Sequence, residues 1–251
     1  MEVKRGPFQG VLNIIQFNWH FYVVAGIVLA ALLVFQNMLP IQTRPFVVGL
    51  AMLTIFTIAV SLATSSYVYD FSNLYQLLWL PDLDAKKVFN INAGFDETSP
   101  IIQRKFPIVA LTAGDFYDAT KHTEVSIKRA RAAYPPIIGT IPVTTDKLPF
   151  QDGAFDFSLA ILSAHEIRND AERAQFFKEL NRVTKSDGQI FVTEHLRDIP
   201  NFLAYTVGFF HFHSKSTWLE TFHQAGLKIE KEIKITPFIT TFIVSKHGNT
   251  L

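Results

Sequence analysis

Residues 155–193 read FDFSLAILSAHEIRNDAERAQFFKELNRVTKSDGQIFVT, and this run contains a strand, a helix and a second strand. Phe155–Leu162 and Gln189–Thr193 are short apolar runs of the length typical of buried strands. Between them, Asp170–Lys185 has apolar residues at helical spacing, and a Ser-Asp-Gly stop follows it. Two strands joined through a helix run parallel, so this segment predicts an α/β fold with a parallel sheet.

The same alternation continues on both sides of this unit. The elements predicted upstream are, in chain order, the strands Val88–Ile91 and Ile108–Thr112, the helix His122–Ala133 and the strand Ile137–Val143. The elements predicted downstream are a helix and two strands: Lys215–Gln224, Lys228–Thr236 and Phe238–Lys246. Two consecutive strands form an antiparallel hairpin, so the prediction is a mostly parallel sheet with an antiparallel C-terminal edge.

The N-terminal third of the chain is nearly free of charge. Phe21–Leu39 is almost wholly apolar, and Pro45–Val68 carries no charged residue. A membrane-spanning helix needs about 20 apolar residues, so each stretch is long enough to cross a bilayer. The flanking aromatic residues suit interfacial belts; they are Trp19, Tyr22, Tyr67 and Tyr69. A signal peptide and a buried core hairpin are the alternatives, but two long successive stretches fit a transmembrane hairpin better.

Two spans place both ends of the chain on one side of the membrane. Lys4 and Arg5 precede the first span, Lys86 and Lys87 follow the second, and the turn between the spans carries only Arg44. The positive-inside rule therefore predicts an integral membrane protein whose soluble domain faces the cytoplasm. The predicted domains are an anchor over 1–70, an interfacial helix or linker over 71–86, and the α/β domain over 87–251.

The linker contains Phe71–Leu80 (FSNLYQLLWL), which has apolar residues at helical spacing. A helix there would either lie along the membrane surface or pack on the soluble domain, and the sequence favours neither.

The net charge is +1 and no long basic run occurs, so no nucleic-acid partner is predicted. The absence of cysteine excludes disulfides, thiolate metal sites and a cysteine nucleophile.

Three motifs occur in the order of the predicted strands: LPFQDGAFD at Leu148–Asp156, FKELNRVTKSDG at Phe177–Gly188, and Trp218–Leu227 with its Ala-Gly pair. In this order and spacing they resemble the class I S-adenosylmethionine-dependent methyltransferases of type 11, over about Lys87–Lys246. The resemblance implies a Rossmann-like methyltransferase sheet, methyl transfer, and S-adenosylmethionine as the cofactor.

The resemblance also implies where the cofactor binds. The family's first strand ends in an acidic residue and a G-x-G-x-G turn, whereas Asn90–Asp96 (NINAGFD) retains one of the three glycines. Asn and Asp tolerate positive φ best among other residues, so the turn stays feasible. Asp115 is expected to accept the ribose hydroxyls, with helix capping as its alternative role, and Phe116 to pack on adenine. The implied cofactor residues are Asn90, Asn92, Ala93, Gly94, Asp96, Asp115, Phe116, Thr144 and Thr145.

Two central strands are each followed by a His/Glu pair. His165 and Glu166 follow the fourth strand, and Glu194 and His195 follow the fifth. Ligands of an open α/β sheet bind beyond the carboxyl ends of its strands, so these four residues are predicted to be catalytic. His165 or Glu166 would be the base that takes a proton from the acceptor. A metal site and a structural salt-bridge cluster are the alternatives. No metal is assigned, because the run H-E-x-x-Asn169 lacks the second histidine of a zincin.

The segment Asn201–Phe212 (NFLAYTVGFFHF) is strongly apolar and follows the fifth strand. Such a patch beside a site indicates a lid, a pocket for a hydrophobic substrate or a membrane contact, and core packing is the alternative. Tyr205, His211 and His213 are the predicted substrate residues. The predicted function is methyl transfer to a hydrophobic or membrane-associated acceptor, such as a lipid, quinone or isoprenoid. A degenerate membrane-tethered scaffold and a metal-dependent non-methyl activity are the alternatives.

Overall fold

The computed structural model describes residues 5–246, so Lys4, used in the orientation prediction, lies outside the described part. The N-terminal region contains three α-helices: α1 (Gln9–Phe17), α2 (Trp19–Phe35) and α3 (Arg44–Ser66). α2 and α3 are the two predicted apolar helices, whereas α1 precedes the predicted spans and was not expected.

The segments Trp19–Met38 and Ile41–Gln76 are long and apolar enough to cross a membrane, by length and composition. None of the most apolar window of the first segment is buried, and only 6% of that of the second is. A core helix of a soluble protein buries most of its surface, because apolar side chains exposed to water are unfavourable. The exposure of these two helices therefore favours the membrane hairpin over a core hairpin.

The soluble domain is built on one sheet of seven strands, which are β1 (Lys87–Asn92), β2 (Ala110–Asp115), β3 (Ile141–Pro142), β4 (Phe155–Ile161), β5 (Thr184–His195), β6 (Leu227–Lys234) and β7 (Ile239–Lys246). Their order is β3-β2-β1-β4-β5-β7-β6. β7 is antiparallel to both neighbours, and the other pairs are parallel. The predicted sheet, with its antiparallel C-terminal edge, is confirmed.

Five helices accompany the sheet, and they are α4 (Thr98–Lys105), α5 (Val125–Ala133), α6 (Asp170–Val183), α7 (Ile199–Tyr205) and α8 (Lys215–Gln224). α8 has its predicted bounds. It begins there because Ser214 accepts a hydrogen bond from the Thr217 N–H, which satisfies an otherwise free donor. α6 packs on α8 through Phe177, whose ring lies 6.0 Å from Trp218 and 5.4 Å from Phe222.

The bounds of several predicted elements differ from the structure, and one helix was not predicted. The third strand is Ile141–Pro142 alone, because Gly139 at φ +90° and a Thr140 N–H to Ile137 carbonyl bond turn the preceding chain. The helix predicted to end at Lys185 ends at Val183, and β5 begins at the next residue. α4 was not predicted.

The linker segment Phe71–Leu80 does not form one helix. A π-helical turn ends at Phe71, and a single 3-10 turn covers Leu74–Gln76. Leu74 and Leu77 are fully buried, and Leu77 packs in a cluster with Val88 of β1. The segment therefore packs on the soluble domain, which is the second of the two alternatives.

Candidate active site

The predicted cofactor and catalytic residues lie at one edge of the sheet. The carboxyl ends of β1 and β2 are side by side, with Asn92 paired to Asp115. The ends of β4 and β5 are likewise adjacent, with Ile161 paired to Thr193. Parallel strands bring their carboxyl ends to the same edge, so residues distant in sequence converge there.

The turn after β1 forms although two of the expected glycines are absent. Gly94 has φ +88°, a conformation that glycine adopts without strain. Asn92 Oδ1 accepts the Gly94 N–H at 2.7 Å. Asp96 Oδ1 accepts the N–H groups of Thr98 and Ser99 at 3.0 and 2.8 Å and thereby caps α4. The polar substitutes thus hold the turn by side-chain bonds to backbone donors.

Three polar atoms in this turn are buried without a hydrogen-bond partner among residues 5–246, namely Asn90 Oδ1, Asn92 Nδ2 and Asp96 Oδ2. Leaving a buried donor or acceptor unsatisfied costs about 1–3 kcal/mol each. Such atoms are rare in folded proteins unless a ligand or water completes them. Their concentration at the end of β1 indicates a binding site for a polar group.

Arg131 of α5 bridges the two predicted cofactor motifs. Its Nη1 donates to Asp115 Oδ2 at 2.6 Å and to the Ala93 carbonyl at 3.2 Å. The guanidinium also lies 4.3 Å from the centre of the Tyr117 ring. A Cβ placed on Gly94 would be 1.3 Å from Nη1. The arginine therefore fills the space above the glycine and occupies the carboxylate predicted to bind ribose. None of the motifs identified in the sequence includes Arg131.

The other predicted cofactor residues make bonds within the protein. Phe116 is buried in the core, 5.3 Å from the Phe176 ring, rather than exposed to a ligand. The Thr145 hydroxyl donates to Glu172 Oε1 at 2.5 Å, and the Thr144 hydroxyl donates to the Lys147 carbonyl. For Thr144 and Thr145 to contact adenine as predicted, they would have to exchange these hydrogen bonds for bonds to the ligand. For Phe116 to do so, the core around it would have to open.

Beyond β4 and β5 lies a cluster of histidines and carboxylates. His165 Nδ1 is 2.6 Å from Glu194 Oε2. Glu194 Oε1 also accepts the backbone N–H groups of Ser163 and His165, both at 3.2 Å. His165 Nε2 lies 3.5 Å from Glu166 Oε1. The structure therefore brings together three of the four predicted catalytic residues, and His211 joins them with its ring 4.9 Å from that of His165.

The charges of the cluster are coupled. Burial alone would lower the pKa of His165, but the adjacent carboxylates of Glu194 and Glu166 outweigh it and raise this pKa to about 10. Burial likewise opposes ionisation of Glu166, yet its interaction with His165 holds the pKa of Glu166 below the usual value. At neutral pH the proton of this pair therefore resides on His165, and Glu166 is ionised.

His195 and His213 do not join this cluster. His195 follows Glu194 in β5, and successive strand residues point to opposite faces. The two ring nitrogens of His195 lie 2.8 Å from the Tyr69 hydroxyl and 2.9 Å from Asn201 Oδ1. Burial lowers the pKa of His195 to about 4, so the ring is neutral. His213 Nε2 is 3.2 Å from Arg173 in the buried region next to Trp218.

Comparison with known proteins agrees with this geometry. Residues 110–192 match the sequence family described as a methyltransferase domain. The domain thus has the class I methyltransferase fold. An S-adenosylmethionine-dependent methyltransferase from Aquifex aeolicus has a similar structure, with 12% identity and a TM-score of 0.51 over 75% of this chain and 97% of that one. The pyocyanin biosynthetic protein PhzM gives 12% identity and a TM-score of 0.53 over 78% and 58%. No curated protein matches the sequence significantly.

The match to a methyltransferase domain agrees with the predicted cofactor, S-adenosylmethionine. The partnerless polar atoms at the end of β1 and the Asp115 carboxylate suit a ligand with an amino-acid part and a ribose, provided that Arg131 leaves the space above Gly94. Arg131 occupies the space that this ligand would need. Its side chain is about one quarter exposed, so it can leave this space towards solvent when a ligand enters.

Replacing Arg131 with methionine is expected to tighten binding of S-adenosylhomocysteine about 3- to 10-fold, because the ligand would no longer compete with a charge-assisted hydrogen bond for Asp115. Isothermal titration of the full chain in detergent micelles measures the change. Lys128→Met, an exposed lysine on the same helix, is the matched control and should bind like the wild type. Weaker binding by Arg131→Met would mean that the arginine is itself a ligand of the cofactor.

The N-terminal helical region, which is the predicted anchor, contacts the α/β domain at the same edge of the sheet. The Tyr69 hydroxyl, just beyond α3, is bound to His195 at the end of β5. Arg5 Nη1 donates to Glu97 Oε1 at 2.7 Å in the loop after β1. The Phe17 ring of α1 lies 5.5 Å from Phe95, the residue after Gly94. The anchor thus contacts loops that follow both β1 and β5.

A second apolar surface lies beside the anchor. It comprises α7 and the 3-10 turn Thr206–His211, and α7 packs next to α3. The exposed fractions of its large apolar residues are 74% for Ile199, 67% for Leu203, 79% for Val207 and 60% for Phe210. His211, at the end of this surface, reaches the His165 cluster. The predicted apolar segment is therefore mostly surface rather than core.

Proposed function

We propose that this protein is a membrane-anchored methyltransferase that uses S-adenosylmethionine to methylate a hydrophobic acceptor held in the membrane, such as a lipid, quinone or isoprenoid. The contact of the anchor with the carboxyl edge of the sheet carries this proposal. Tyr69, just beyond α3, is bound to His195 at the end of β5, and Phe17, two residues before α2, contacts Phe95 in the turn after β1. An acceptor emerging from the bilayer at these helix ends would reach the site without crossing water.

The exposed apolar surface of α7 and the following turn supports the same acceptor class. Burying one leucine or phenylalanine side chain is favourable by about 1.5–3 kcal/mol, so four exposed apolar side chains beside a membrane helix favour contact with lipid or with a lipid-like acceptor. The contact between His211 and His165 connects this surface to the cluster. Tyr205 and His211 are our proposed substrate contacts, whereas His213 is buried beside Arg173.

Each part of the site has a proposed role. S-adenosylmethionine, when bound, supplies an electrophilic methyl group on a positively charged sulfur. Asp115 and the turn around Gly94 hold the ribose and the amino-acid part. The Glu166 carboxylate takes the proton from the acceptor hydroxyl, and the imidazolium of His165, fixed by Glu194, stabilises the resulting oxygen anion. The protein otherwise acts by positioning the two reactants and excluding water.

The proposed orientation puts the methyltransferase domain in the cytoplasm. Arg5 and the Lys86–Lys87 pair lie on the domain side of the two apolar helices, whereas Arg44 lies in the connecting turn. This asymmetry supports the orientation given by the positive-inside rule.

The function is tested by methyl transfer from radiolabelled S-adenosylmethionine to a native membrane-lipid extract in proteoliposomes. Label should enter the organic phase. The double variant Leu203→Asp/Val207→Asp should lower this rate at least about tenfold, since two apolar contacts with the membrane are lost, while binding of S-adenosylhomocysteine stays unchanged. Ile138→Asp, which alters a fully exposed isoleucine before β3, is the matched control. Incorporation only into water-soluble products would contradict a membrane acceptor.

One observation favours a second candidate, a tethered binding module that no longer transfers methyl groups. Arg131 closes the space between Gly94 and Asp115, which a working enzyme must open. If neither the wild type nor Arg131→Met binds S-adenosylhomocysteine in a folded sample, the scaffold is the better description. Binding by either protein argues against it.

A further inference from the structure

The residues that the methyl-transfer proposal uses as proton acceptor, anion stabiliser and substrate contact also form a donor set for a metal ion, a role that this proposal does not include. The Nε2 atoms of His165 and His211 lie 3.5 and 4.0 Å from the same oxygen, Glu166 Oε1. One ligand atom from each of these three residues lies within 4.8 Å of the others. Two imidazoles and a carboxylate are a donor set that suits transition metals such as zinc, and does not suit Mg²⁺ or Ca²⁺.

A second carboxylate lies behind each histidine. Glu194 Oε2 is 2.6 Å from His165 Nδ1, and Glu124 Oε1 is 3.5 Å from His211 Nδ1. Histidines that bind metals almost always donate their other ring N–H to a carboxylate, carbonyl or water, which fixes the tautomer and directs the free nitrogen to the ion. Here both Nδ1 atoms face such partners, and both Nε2 atoms face Glu166.

The carboxylate between the histidines is also incompletely satisfied. Glu166 is 5% exposed, and its Oε2 has no hydrogen-bond partner among residues 5–246. A buried carboxylate oxygen without a donor is costly unless a cation or water completes it. This observation is independent of the spacing of the histidines and points to a cation at the same place.

We propose that His165 Nε2, the Glu166 carboxylate and His211 Nε2 bind one divalent transition-metal ion, of which Zn²⁺ is the best match. Zinc bonds of about 2.0–2.2 Å require the three donors to move closer together than in the structure. His211 can follow, because it ends an exposed 3-10 turn. Three protein ligands leave one position open, as in catalytic zinc sites, and that position can take an oxygen of a hydroxyl-bearing acceptor. Metal binding itself does not depend on the proposed methyl transfer.

Titration of the full chain with ZnCl₂ tests the site directly. The protein is purified without a polyhistidine tag, stripped with EDTA, dialysed into detergent buffer and titrated by calorimetry. One Zn²⁺ per chain is expected, and excess Mg²⁺ should not displace it. Co²⁺ in place of Zn²⁺ should give a visible absorption band typical of a His-ligated ion. A folded wild-type protein that binds no Zn²⁺ would overturn the proposal.

Variants at the rim of the cluster separate this site from other histidines. His211→Ala and Glu166→Gln should each weaken Zn²⁺ binding more than about 100-fold, and Glu124→Gln, which removes a partner of a ligand, about 10- to 100-fold. His223→Ala removes an exposed histidine of α8 and should bind Zn²⁺ like the wild type. Circular dichroism confirms that each variant is folded. Unchanged Zn²⁺ binding in both His211→Ala and Glu166→Gln would place the ion elsewhere and reject the proposal.

Discussion

Replacing Glu194 with alanine is expected to lower the free energy of unfolding of the methyltransferase domain by about 3–5 kcal/mol, the usual cost of removing one partner of a buried ion pair. Glu194 is fully buried and serves three donors at once, the His165 imidazole and two backbone N–H groups. Alanine leaves all three without an acceptor and also opens a cavity. No nearby polar side chain of β5 replaces it, because Thr193 is bound to Thr241 of β7.

Chemical denaturation in detergent micelles, with EDTA present and tryptophan fluorescence as the signal, measures this loss; the buried Trp218 contributes to that signal. Glu194→Gln keeps an acceptor for the backbone donors and loses the charge, so its cost should be smaller, about 1–3 kcal/mol. Glu220→Ala, at an exposed position of α8, is the control and should stay within about 0.5 kcal/mol of the wild type. A stability loss in Glu194→Ala no larger than that of the control would show that the cluster does not support the fold.

The sequence predicts the sheet well because its central strands and the helix between them have strong local signals. β4, α6 and β5 combine apolar runs of strand length with a clear helical period and an Asn169 cap. The weaker predictions fail where tertiary contacts override local pattern. Leu74 and Leu77 look like one face of a helix, yet they are buried against the soluble domain by an irregular segment. β3 is an edge strand of two residues, and an apolar run alone overstates its length.

The sequence predicts only the part of the site that follows from the order and the ends of the strands. Strand ends give the positions of Asp115, His165 and Glu194, because topology alone brings those ends together. The separation of His195 from Glu194 follows from strand alternation, which the sequence already contains. Arg131 could not be predicted, since its role depends on how far one long side chain reaches from α5 to β1 and β2.

Replacing Asp115 with alanine is expected to weaken binding of S-adenosylhomocysteine at least about 100-fold, because each hydrogen bond to an ionised acceptor contributes about 1.5–3 kcal/mol and two ribose hydroxyls would lose theirs. Calorimetry on the full chain measures the change. Asp118→Ala is the matched control, since this carboxylate lies three residues later and bonds only within its own turn, to Thr120. Asp115→Asn, which retains one acceptor oxygen for the Tyr117 N–H, should bind with intermediate affinity.

The full contribution of Asp115 to binding of S-adenosylhomocysteine should appear only when Asp115→Ala is compared with Asp115 in an Arg131→Met background. In the wild type the ligand must displace the arginine from Asp115, so part of the carboxylate's contribution is hidden by that competition. Arg131→Met should therefore tighten binding when Asp115 is present and have little effect in the Asp115→Ala background. This non-additivity is what a double-mutant cycle reports for two groups in contact. Equal effects of Arg131→Met in both backgrounds would show that the arginine does not compete for Asp115, and unchanged binding in Asp115→Ala would show that the ribose lies elsewhere.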